Sequence, residues 1–101
     1  MQTTFLNIGK SYTEGNEKFL LKMFNDADWQ ELPLKQAPFS QGYAVQTIIN
    51  EMKMPAKRVS LYNGVSLSQA HYGVYGIETK KQRVFILDNG CELVPLALID
   101  L

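Results

Sequence analysis

Two apolar runs near the C-terminus, 82–88 and 91–99, are divided by Asn89-Gly90, and nothing else in the chain constrains its fold as strongly. Asn-Gly between two strand-like runs favours a two-residue type I′ turn, whose central positions both need φ > 0. Such a turn sets a register: Asp88 faces Cys91, Ile86 faces Leu93 and Phe85 faces Val94. Val84, Ile86, Cys91 and Leu93 then share one face, and Phe85, Leu87, Val94, Leu96 and Leu98 share the other. Both faces are apolar, so both are expected to be covered.

The rest of the chain reads as mixed structure. Thr3 to Ile8 alternates as a short strand that Gly9 and Lys10 break. Ser11 and Glu14 have capping-box spacing, with Asn16 as a rival cap after Gly15. Phe19, Leu20, Met23, Phe24 and Ala27 follow with helical spacing. In 28–38, Pro33 excludes a central strand, and 30–34 reads as a short edge strand in an irregular connection. Ser40 caps a second predicted helix, whose stripe is Val45, Ile48, Ile49 and Met52 and which Pro55 ends. Sheet follows. Val59 and Leu61 alternate with Arg58, Ser60 and Tyr62, Asn63-Gly64 reads as a second tight turn, and 71–79 is a strand carrying Gly73 and Gly76. The expected fold is α+β: one domain over 1–101, an antiparallel meander of four to five strands, and two helices packed on one face.

Composition narrows the function classes. The 101 residues carry ten basic and ten acidic side chains and are 46% hydrophobic, a globular balance with no global pull toward nucleic acid or anionic lipid. No run of 18 apolar residues exists, so no membrane span is expected. The start Met1-Gln2-Thr3-Thr4 has no basic region and no long apolar stretch, so no signal peptide is expected. The single cysteine excludes an intrachain disulfide and fits a reducing, cytoplasmic setting.

No constellation for catalysis stands out. His71 is the only histidine. It lies in Ala70-His71-Tyr72-Gly73-Val74-Tyr75-Gly76, where a glycine beside His71 and Tyr75 would floor a shallow pocket, with Tyr72 near it and Tyr62 as a further phenol. Cys91 fits a small buried hydrophobe better than a nucleophile. One His and one Cys, without CxxC, HxH or HExxH, do not make a closed zinc site, and no phosphate loop or paired carboxylates are present, so no metal or cofactor is expected.

The favoured expectation is a small non-enzymatic cytoplasmic interaction module, a homodimer that presents an apolar sheet face, that of Phe85, Leu87, Val94, Leu96 and Leu98, or a sheet edge, with Trp29 as an anchor, to a protein partner. The alternative is a small-molecule-binding protein or modest acid–base enzyme with a pocket around His71, Tyr72, Tyr75 and Tyr62.

Overall fold

The structure, a computed structural model, describes residues 2–26, 28–32, 56–67 and 70–101, with backbone alone over 63–67 and 70–72. The predicted second helix from Ser40 to Pro55 and the position of Ala27 lie outside the described residues. The described elements are β1 (Thr3–Phe5), a 3₁₀ turn (Asn7–Gly9), α1 (Lys10–Thr13), α2 (Glu17–Phe24), β2 (Gln30–Leu32), β3 (Arg58–Leu67), β4 (Ala70–Glu78), β5 (Gln82–Asp88) and β6 (Leu93–Asp100). They build a mixed fold around one antiparallel sheet of six strands, ordered β1-β6-β5-β4-β3-β2. β2 to β6 form a meander, and β1 closes the far edge against β6. The count exceeds the expected four to five because both short segments, Thr3–Phe5 and Gln30–Leu32, join the sheet as edges.

The C-terminal hairpin exists, with a different register. Asp88 faces Leu93, Leu87 faces Val94 and Ile86 faces Pro95, leaving a four-residue loop from Asn89 to Glu92 instead of a two-residue turn. The Asn89 side chain is the cause. Its Oδ1 accepts the backbone N–H groups of Cys91 (2.9 Å) and Glu92 (2.8 Å), and its own N–H donates to Glu92 O at 3.2 Å. The Asx geometry substitutes for the two-residue turn. Gly90 takes φ +89° within it. Cys91 is therefore an exposed loop residue, not the buried hydrophobe expected.

A second departure moves Leu98. Phe85 faces Ala97 while Ile86 faces Pro95, so Leu96 is an extra residue, a β-bulge. The bulge inverts the alternation beyond it. Val94, Leu96, Ala97 and Ile99 all pack on one side, and Leu98 packs on the opposite side beside Val84 and Ile86. Asn63-Gly64 also makes irregularity without reversal. β3 runs through it, with a register shift between Tyr62↔Val74 and Val65↔Tyr72.

At the N-terminus, Gly9 nests on the bulged strand. A Cβ there would stand 2.6 Å from the Pro95 carbonyl oxygen. Ser11 lies inside α1, so the capping box is not formed. Gly15, at φ +85°, separates α1 from α2, and the Glu17 carboxylate accepts its N–H at 3.0 Å. Asn16 precedes α2, but its side chain points back to Tyr12 O at 3.0 Å.

The sheet has two buried faces. On the first, Leu20, Met23 and Phe24 of α2 cover Val74, Phe85, Leu87, Val94, Leu96, Ala97 and Ile99. The rings of Phe24 and Phe85 stack with centroids 3.8 Å apart. Phe19 of the predicted stripe instead points outward. On the second face, Leu32, Val59, Leu61, Tyr75, Ile77, Val84 and Ile86 form a separate buried cluster. Phe85, Leu87, Val94 and Leu96, expected as an exposed contact face, are thus core residues of the single chain, at 6% exposure or less. At about 25 cal/mol per Å² of apolar surface removed from water, α2 supplies the cover that a second copy was expected to supply. Among the described residues no helix is long and apolar enough to cross a membrane.

Candidate functional site

α2 covers only part of the first face. Beyond Phe85 the strand positions of this face turn polar, because Arg58 and the buried Ser60 of β3, Glu78 of β4 and Arg83 of β5 share the face parity of Phe85. Trp29, arriving just ahead of β2, closes the apolar part from the polar part. Between Trp29 and these strands lies a cleft of about 240 Å³, completed by Asp26, Glu31 and Gly76.

Trp29 is fixed from three sides. Its indole Nε1 donates to Met23 O at the end of α2 (3.0 Å). Its ring packs on Tyr62 and Phe85, with centroids 5.3 Å and 5.7 Å apart. Arg83 lies across the aromatic wall, its Cζ 4.9 Å from the Trp29 ring and 5.1 Å from the Phe85 ring. Gly76 makes room for this. A Cβ there would be 3.2 Å from Arg83 Nε and Nη2 and 3.4 Å from Trp29 Cζ3. A glycine in a central strand that admits another group is the arrangement the sequence suggests around Gly73, realised three residues later.

The two guanidiniums differ. Arg58 is ion-paired with Glu31 (3.6 Å) and Glu78 (3.5 Å) near the solvent edge. The Arg83 guanidinium makes no hydrogen bond and no ion pair among the described residues. Burial pushes its pKa below the ordinary arginine value, Glu78 partly restores it and Arg58 lowers it further. It remains a cation near neutrality. Its planar fork is held by stacking, with donors left for an acceptor. Asp26, also in the cleft lining, accepts the Tyr62 hydroxyl on Oδ2 at 3.4 Å and the Asp28 N–H on Oδ1 at 3.0 Å. Burial, then the Asp26 charge, raises the Tyr62 pKa, so the phenol stays a donor.

The residues singled out from sequence are divided by this geometry. Trp29 lines the cleft, and Tyr62 packs against its ring without lining the cleft itself. Tyr75 does not, because Leu61 is its cross-strand partner and it is buried in the opposite cluster. The sheet separates Tyr62 from Tyr75, so the two phenols cannot line one pocket. The backbone of His71 pairs with Ser66, and that of Tyr72 with Val65; both side chains lie outside the described residues. Sequence patterning alone does not mark Arg83, Arg58, Ser60 or Asp26 as site residues. Their signal was present in the alternation Arg58-x-Ser60-x-Tyr62 and in Arg83 at i−2 from Phe85, but it reads as an ordinary solvated strand face. Among the described residues, no group of three or more His, Cys, Asp or Glu could hold a metal ion.

No protein-family model, curated protein or solved structure matches this chain.

Proposed function

We propose that the chain is a small, non-enzymatic, cytoplasmic binding module whose recognition surface is the Trp29–Arg83 cleft. The observation that carries this is Arg83: a half-buried guanidinium, stacked on Trp29 and Phe85, that meets no acceptor among the described residues. An oriented, partly desolvated cation in a cleft costs free energy in the empty protein and returns it when an acceptor arrives. The fixed indole beside it supplies the rigid aromatic wall common in binding sites. The expected homodimer has no use for Phe85, Leu87, Val94 and Leu96, which already lie under α2. Partner contact therefore belongs to the polar half of the face.

Trp29 is the only tryptophan, so its emission reports the cleft directly. Screening small anions, cations, zwitterions and neutral polar compounds against wild-type protein should give a saturable emission change for at least one class, weakened in Arg83→Gln. Failure of all classes to change the emission, with backbone amide resonances around Gly76 and Ser60 also unmoved, would remove the reading.

A further inference from the structure

Resting on that reading, we infer that the cleft takes a zwitterion, a small amino-carboxylate of the free amino acid type. The charge layout is the reason. Asp26, Glu31 and Glu78 oppose Arg58 and Arg83, so the lining is one charge negative. Glu31 and Glu78 share the single cation of Arg58, which leaves that trio one charge negative as well. Asp26 adds a second excess negative charge to the lining, and Arg83 is the one cation of the lining without an ion pair among the described residues.

A purely anionic ligand would bind Arg83 and be repelled by three carboxylates within a few ångströms of the cleft. A purely cationic ligand would meet two guanidiniums. Only a ligand with both charges uses the donors of Arg83 and the surplus acceptors of Asp26 and the Glu31–Arg58–Glu78 trio together. Its carboxylate takes the guanidinium fork, which lies over Gly76, with the buried Ser60 next to it as register partner of Gly76. Its ammonium faces the acidic rim. The volume of about 240 Å³ suits a small molecule, not a folded partner's loop.

The test uses the intact chain and Trp29 emission, with L-alanine and L-serine as probes beside alaninamide, N-acetylalanine and inorganic phosphate. The zwitterions should saturate, and loss of either ligand charge should weaken binding on the order of tenfold. Arg83→Gln should abolish the preference for alanine over alaninamide, and Asp26→Asn should shrink the preference for alanine over N-acetylalanine. Arg83→Lys keeps the charge but not the fork, and should bind alanine less tightly than wild type while melting close to it. If N-acetylalanine or phosphate binds as well as alanine, the site is a simple anion site; if alaninamide does, it is a cation site. Either result overturns the zwitterion and leaves the binding module standing. No response to any probe overturns the zwitterion as well, and the broader screen then decides the module.

Discussion

Arg83 lies flat across Gly76, with Nε and Nη2 each 3.2 Å from where a Cβ would stand. The missing side chain lets one strand's arginine cover its neighbour's backbone and reach the indole of Trp29. Gly76→Ala tests this directly. Gly76 has an ordinary φ, and alanine restricts the unfolded chain, so folding stability should change by less than about 1 kcal/mol. The flexible Arg83 end must shift, so Trp29 emission should move although the melting curve hardly does. A large loss of stability with unchanged emission would show that the close approach is not where the strain falls.

Gly9 is a different case. Its prospective Cβ meets backbone, the Pro95 carbonyl oxygen at 2.6 Å and Leu96 Cα at 3.1 Å, at the bulge that places Leu96 and Ala97 on the same side. Backbone cannot rotate away as a side chain can. Gly9→Ala should cost about 1–3 kcal/mol in denaturant unfolding. Gly15→Ala meets no neighbour, but its φ of +85° is unfavourable for alanine, and it should cost about 1 kcal/mol.

Phe24 carries the cover over the hairpin. It is 2% exposed and stacked on Phe85 at 3.8 Å. Phe24→Ala should destabilise by about 3–5 kcal/mol. Phe19→Ala, on the outer side of the same helix, should stay within about 0.5 kcal/mol. Equal effects would contradict the placement of α2.

Tyr75 gives the fold an alkaline limit. Burial, then the Asp88 charge, raises its pKa above the usual phenol value. Between the unfolded and folded pKa values the native state holds a proton that the unfolded state has released. The stabilisation is complete below pH ~10, the ordinary phenol value, and is lost as pH rises from there through the folded pKa. Denaturation midpoints from pH 8 to 11 should fall at the top of that range in wild type and fall less in Tyr75→Phe.

Much of this architecture was legible in the sequence, for identifiable reasons. The period-two pattern of Arg58 to Tyr62 and the apolar run from Gln82 to Asp88 before Asn89-Gly90 mark the strands, and the spacing of Leu20, Met23 and Phe24 marks the buried side of α2. Three details were decided by interactions that periodicity does not encode. Asn89 folded its side chain back onto two backbone donors, which lengthened the loop and exposed Cys91. Leu96 bulged against Gly9, which sent Leu98 to the other side. Asn63-Gly64 was absorbed as a bulge within β3 instead of ending it. The cleft was harder still. Trp29 and Tyr62 stood out as aromatics, but Arg83 becomes a site residue only because Gly76 lies beside it across the β4–β5 ladder, a relation between residues seven apart that depends on the hairpin register.

Assigned Nε–H resonances of Arg83 and Nε1–H of Trp29, followed while L-alanine is added, put the cleft to its most direct trial. The Arg83 signal should shift saturably, while the Trp29 indole proton stays slow to exchange, held by Met23 O. An unmoved Arg83 signal, with shifts confined to the outer side of α2 or to β1, would place recognition elsewhere on the molecule and contradict the account.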